Sequence, residues 1–157
     1  MAETLTPKNP RLVQSDNPME KREVAAAVSQ TWKQGQVGYY SSGLATFCDD
    51  DATNVKFMFL EDQDTSTTAS ELVWVGIITS DMIFEGFELD GTVARSNIGV
   101  PYALDVTSNV VTVDIGDTGN DAVTIVDLGW IYEPSRNTSA DVKARLKFRY
   151  LTAALDA

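Results

Sequence analysis

The sequence predicts an all-β protein, a small barrel or sandwich of many short antiparallel strands in two β-rich halves behind an extended N-terminal arm. Three observations carry this. Short runs rich in Val, Ile, Phe and Tyr recur along the chain, some apolar throughout and some alternating with polar residues. Clusters of Gly, Asn, Asp and Ser break them about every eight to twelve residues, the spacing of sandwiches and barrels. Helical patterning is thin. A chain of 157 residues suits one domain and buries roughly 70% of its unfolded surface, so its core needs no covalent staples.

Residues 1–22 read as the arm. Pro7, Pro10 and Pro18 fall here, three of the chain's five prolines. Each fixes its own φ and pushes its neighbour toward extended backbone. No apolar period marks a core-facing side. Such a segment is free, or is ordered against something else. Residues 23–157 form the β-rich domain, with halves 23–90 and 91–157 that meet near "LDGTVARSN".

Within that domain "EVAAAVSQTW" has alanines that favour helix, yet it leads into a hairpin and reads as strand. "QVGYY" and "LATFC" flank "SSG", a hairpin turn. "VKFMFLED" alternates Val55, Phe57 and Phe59 against Lys56, Met58 and Leu60. "TASE" matches a capping box, but the residues behind it are β-branched and aromatic, so a strand follows. That strand, "LVWVGIIT", is apolar throughout and is expected to be buried on both faces, Trp74 included. "MIFEGFEL", "YALDV", "VVTVD" and "AVTIVDL" follow, the last three separated by the turn-rich "TSN" and "IGDTGND". "DVKARLKFRYL" closes the ordered chain.

The net charge of −11 is unevenly spread. Residues 1–22 carry a net of +1 and residues 143–157 a net of +3, which leaves −15 on the body between them. An acidic body repels phosphate backbones and anionic membranes, so neither nucleic acid nor membrane is an expected partner. The opening "MAETLTPKNP" is polar and lacks the pattern of a secretory leader. No apolar run approaches the ~20 residues that span a bilayer as a helix.

Catalytic and metal-binding readings are weak. The chain has no histidine, which removes Ser-His-Asp and Cys-His machineries and the commonest zinc ligand. The single Cys48 ends an apolar strand, where a free cysteine acts as a small hydrophobe. In "FCDDDATN", Asp49, Asp50 and Asp51 are consecutive, and neighbours on an extended chain point to opposite sides. "DIGDTGND" offers Asp114, Asp117, Asn120 and Asp121 but lacks the alternate oxygens, central glycine and distal glutamate of a calcium loop. Both stretches read as solvated turns. The expectation is therefore no catalytic residue, no metal and no cofactor. A carboxylate-dependent enzyme is the third-ranked reading, because a chain with 23 acidic residues satisfies any two-acid pattern on paper.

The most specific pattern is "KARLKFRY", where Lys143, Arg145, Lys147 and Arg149 alternate with Ala144, Leu146, Phe148 and Tyr150. Side chains of a strand point to opposite faces with period two, so one face is apolar and the other basic. The basic face has two readings. Its cations pair with acids on neighbouring strands of the same sheet, or they form a contact strip for an acidic partner. With Lys8 and Arg11 of the arm, these four are the candidate partner-binding residues.

The order of elements in "TWKQGQVGYYSSGLATFCDDDATNVKFMFLED" and "LVWVGIITSDMIFEG" resembles the small β-rich head decoration, or cement, proteins of tailed bacteriophages. "IGVPYALDV", "VVTVDIGDTGNDAVTIVDL" and "VKARLKFRY" are similar to the second β half of such proteins. The resemblance spans most of residues 30–150 through generic glycine–turn–strand patterns. It implies a non-enzymatic virion protein, found in the host cytoplasm during assembly and then on the capsid surface. Its partners would be the major capsid protein and copies of itself, as trimers in many members, with the N-terminal arm laid on the capsid. A second reading from the residues is a ligand-binding module, for carbohydrate for example, with Trp32, Trp74 and Trp130 as stacking platforms.

Overall fold

The computed structural model of the chain describes residues 6–90, 92–129 and 144–157. Eleven strands are assigned among them: β1 (Arg11–Gln14), β2 (Lys21–Ala25), β3 (Val37–Ser41), β4 (Leu44–Phe47), β5 (Phe57–Phe59), β6 (Leu72–Ile77), β7 (Ile83–Phe87), β8 (Pro101–Thr107), β9 (Val110–Asp114), β10 (Val123–Leu128) and β11 (Arg145–Tyr150). A 3-10 turn (Arg95–Asn97) precedes β8, and a short helix α1 (Thr152–Asp156) follows β11. No helix among the described residues is long and apolar enough to cross a membrane. The all-β class holds, as two antiparallel sheets packed together.

The first sheet has six strands in the order β1-β7-β11-β10-β8-β9, and the second has five in the order β2-β6-β5-β3-β4. Each sheet curls without closing. A parallel bridge Ala26↔Ala45 draws the β2 edge of the second sheet toward its β4 edge. A parallel bridge Glu88↔Val113 brings the end of β7 to β9 in the first. The halves divided at residue 90 are thus only partly separate, because β1 and β7 join the first sheet while β2 to β6 build the second.

The turn chemistry read from the sequence places the hairpins. Ser42 (φ 50°) and Gly43 (φ 78°) join β3 to β4, and Ser108 (φ 51°) and Asn109 (φ 63°) join β8 to β9. Two central residues at positive φ match the right-handed twist of the flanking strands. The "TASE" stretch is a turn, closed by the Glu71 N–H to the Thr68 carbonyl at 3.2 Å.

Two apolar clusters hold the sheets. The larger lies between them and includes Met58, Phe84, Leu104, Val113, Ile125, Leu146, Phe148 and Tyr150. Phe84, Phe148 and Tyr150 pack mutually, with centroid separations of 5.2 to 6.0 Å. The smaller lies on the other side of the second sheet, where Phe57, Phe59, Val73 and Val75 pack under Trp32. Trp32 stacks on Phe59 at 3.9 Å and donates its indole N–H to the Glu61 carbonyl at 3.0 Å.

This arrangement corrects the reading of two strands. β5 is buried on both faces, since Phe57 and Phe59 enter the smaller cluster and Met58 the larger. β6 is not. Val73 and Val75 are buried, but Leu72 is 61% exposed and Trp74 is 44% exposed. Their face of β6 is covered at Gly76, where a Cβ would come within 2.1 Å of the Met19 sulfur. Beyond that point Leu72 and Trp74 face solvent.

The N-terminal segment is extended, as expected, and its described part is fastened to both sheets. β1 pairs with β7 and β2 pairs with β6. β2 starts at Lys21, so the boundary drawn between residues 22 and 23 falls inside a strand. The corner between β1 and β2 is held by Asp81, which accepts from the Asp16 N–H at 3.0 Å. Before β1, the Asn9 amide donates to the carbonyls of Gln34 (3.2 Å) and Asn109 (2.9 Å), and its oxygen accepts from the Val111 N–H at 2.7 Å.

Two stability effects are expected. Asn9→Ala strands the Val111 N–H beside a fully buried side chain, which costs about 1–3 kcal/mol in a denaturant melt. A change below that range would show that Asn9 does not hold the segment. Phe148→Ala empties a site inside the larger cluster and costs about 3–5 kcal/mol by the same measurement.

Candidate interaction surface

The basic strand lies where its alternation predicts. Ala144, Leu146, Phe148 and Tyr150 are buried, while Arg145, Lys147 and Arg149 lie on the opposite face. β11 is flanked by β7 and β10, so that face is the outer face of the first sheet near its middle. Arg145 lies opposite Phe87 and Lys147 opposite Glu85 on β7; on β10, Lys147 faces Asp127 and Arg149 faces Thr124.

Arg11 on β1 faces Glu85 from the other side. A row of alternating charge therefore crosses four strands: Arg11, Glu85, Lys147 and Asp127. Arg11 reaches Glu85 at 3.1 Å and Arg145 reaches the same oxygen at 3.8 Å. The Arg145 guanidinium also sits 5.5 Å from the centroid of the Phe87 ring. Arg11 is exposed but the Glu85 side chain is only 16% exposed, and partly exposed pairs of this kind contribute on the order of 1 kcal/mol each.

The structure brings three candidate cations together. Lys8, Arg11 and Arg145 surround a cleft of about 200 Å³ over Glu85 and Phe87. Lys147 and Arg149 continue the basic character along β11. Lys143 lies outside the described residues. Within this outer patch five basic side chains face two acids, Glu85 and Asp127, on a chain whose net charge is −11. Such a patch suits carboxylates.

The remaining candidates lie apart from this patch. Cys48 is buried, its Sγ donates to the Asn54 carbonyl at 3.3 Å, and burial pushes its pKa up to about 12. A thiol held in that form is no nucleophile at neutral pH. Trp32 is buried, so Trp74 alone of the described tryptophans faces solvent; Trp130 lies outside the described residues. Trp74 borders a cleft of about 50 Å³ with Asp62 and Gln63. Asp62 there already accepts from the Gln34 N–H at 2.8 Å.

The two acidic turns, separate in sequence, meet in space. The Asp51 N–H donates to the Leu104 carbonyl at 3.0 Å, and Asp50 accepts from the Val106 N–H. Desolvation, then a hydrogen bond with Asp117 and repulsion from it, raise the pKa of Asp51. The Gly119 N–H, donated at 2.7 Å, is the main cause that lowers Asp117. Among the described residues, no group of three or more acids or cysteines is placed to hold a metal ion.

Two residues escaped the sequence reading. Asn9 sits in a proline-rich stretch without periodicity, and its partners are 25 to 102 residues away. Glu88 is fully buried and accepts from the Thr92 N–H at 3.1 Å. It continues the alternation of "MIFEGFEL" on the core side, where an acid is not expected. Comparison with known proteins finds no family model, curated protein or solved structure that matches the chain.

The acidic meeting point has a pH signature. The folded state raises the pKa of Asp51, so ionised Asp51 works against folding, and its protonation as pH falls favours the folded state. Asp51→Asn is therefore expected to raise the melting temperature at about pH 7 and to flatten the gain seen as pH falls toward the ordinary carboxylate range. Asp51 sits at φ 57°, a backbone region that asparagine tolerates well. A lower melting temperature at neutral pH would contradict the repulsion.

Proposed function

We propose that this chain is a structural binding protein, a decoration or cement protein that sits on the outer surface of a phage capsid and braces it. The observation that supports this reading is the basic outer patch, Lys8, Arg11, Arg145, Lys147 and Arg149, on an otherwise acidic two-sheet body. Opposite charge across an interface speeds encounter and fixes orientation more than it adds affinity. Arg11, Arg145, Lys147 and Arg149 sit on hydrogen-bonded strands, so little backbone ordering entropy is lost when a partner docks. The partner in this reading is the major capsid protein, with copies of the same chain beside it, and the site of action is the virion surface.

The exposed Trp74 beside Asp62 and Gln63 favours a second reading, a module that stacks a sugar ring. Its cleft is small and Asp62 is already engaged, which makes it the weaker of the two.

The test uses purified protein and expanded phage heads, with occupancy counted by electron microscopy. Wild-type protein is expected to decorate the heads. Lys147→Glu is expected to lower fold stability by no more than about 1–2 kcal/mol, because it sets an acid opposite both Glu85 and Asp127 on the outer face. The same variant is expected to lose occupancy at low salt, where its reversed charge faces an acidic surface. No decoration by the wild type would sink the proposal. Undiminished occupancy by Lys147→Glu would remove Lys147 from the contact.

A further inference from the structure

β1 is a sheet edge, paired with β7 on one side only. A groove of about 410 Å³ runs between this N-terminal segment and the second sheet. Pro10, Leu12 and Met19 of the segment line it together with Met58 and Leu60 of the second sheet and the loop after it. On the outer face of the same strand lies the cleft bordered by Lys8, Arg11 and Arg145. Asn9 and Arg11 border both. One short strand thus divides an apolar groove from a cationic cleft.

That division sets a pattern for a ligand. An unpaired strand edge is a template for a further strand. Side chains of an added strand alternate between the two faces of the sheet. On the inner face they would lie beside Leu12, Met58 and Leu60, which favours apolar residues. On the outer face they would lie beside Arg11 and Lys8, which favours carboxylates. Lys8 is exposed and makes no ion pair among the described residues. Val13 on the edge strand is 41% exposed. A bulge between Leu12 and Gln14 limits the ladder to a few residues.

We infer that the β1 edge is a docking site for an extended segment of a partner protein in which acidic and apolar residues alternate. The segment adds a strand to the six-stranded sheet, sets its apolar side chains into the groove over Met58 and Leu60, and turns its carboxylates toward Lys8, Arg11 and Arg145. The inference rests on the reading of this chain as a protein that binds another protein, and it names the chemistry of the contact. Charge selects the partner: the patch is basic on an acidic chain, so an acidic strand is drawn to it and a basic one repelled.

The test titrates the full isotope-labelled chain with a short capped peptide in which glutamate alternates with valine, followed by backbone amide shifts in NMR. Shifts are expected along Arg11–Gln14 and at Met58 and Leu60, with affinity that weakens as salt rises. The lysine–valine counterpart is expected not to bind. Lys8→Glu, a change at an exposed side chain outside any ion pair among the described residues, is expected to weaken binding about tenfold with an unchanged thermal melt. Equal binding of both peptides, shifts centred on Leu72 and Trp74, or no saturable binding at low salt would overturn the inference. So would self-association through β1 in place of peptide uptake, because the occupant would then be a second copy. Capsid decoration separates the two readings. Heads left undecorated by a chain that still takes up the glutamate peptide would refute the capsid role alone. Heads decorated equally by wild type and Lys8→Glu, without peptide binding, would refute the strand-docking site alone.

Discussion

The carboxamide of Asn9 ties together parts of the chain that are otherwise joined only by packing. It spends both faces of one side chain on three backbone groups: the Gln34 carbonyl of the second sheet's loop, and the Asn109 carbonyl and Val111 N–H of the β8–β9 hairpin. An aspartate cannot donate to two carbonyls, and a shorter side chain reaches none of them. With Asn9 in place, the next residues enter β1 in register with β7, and Lys8 and Arg11 arrive beside Arg145. The position of the cationic cleft therefore depends on a hydrogen-bond set at the other edge of the same sheet.

The fold separates the tasks of its two faces with unusual clarity along β11. Its inward side chains fill the larger cluster, where Phe148 and Tyr150 pack on Phe84. The Tyr150 hydroxyl has no hydrogen-bond partner among the described residues, and burial raises its pKa, so it stays a neutral phenol whose ring fills the core. The outward side chains of the same strand carry charge, each held by a backbone that the core has immobilised. Apolar burial thereby positions a polar surface.

Electrostatics follow the same division. The acids of the Cys48–Asn54 loop and of the turn after β9 gather at one place, where Asp51 and Asp117 share close quarters at some cost. Five bases, Lys8, Arg11, Arg145, Lys147 and Arg149, gather on the outer face of the first sheet, while Lys21, Arg22, Lys33, Lys56 and Arg95 lie elsewhere. A local cationic patch on a chain of net charge −11 suits an oriented contact better than a diffuse attraction.

The sequence by itself determined the class of fold, the hairpin turns and the two faces of β11, because these depend on local rules. Period-two alternation and positive-φ turn residues act within a few positions. It also offered Lys8, Arg11, Lys143, Arg145, Lys147 and Arg149 as candidate partner-binding residues. The tertiary structure decided what those rules do not reach. Whether "LVWVGIIT" or "VKFMFLED" lies buried on both faces depends on which strand the second cluster covers, and Trp32, which covers it, comes from a loop. The docking of the N-terminal segment depends on the Asn9 hydrogen bonds and on Gly76, whose missing side chain makes room for Met19. The meeting of Asp51 with Asp117, and of Arg11 with Arg145, required the chain to be folded. Contacts between residues far apart in sequence leave no periodic trace, since any polar or small residue in an irregular stretch looks alike until its partner is in place.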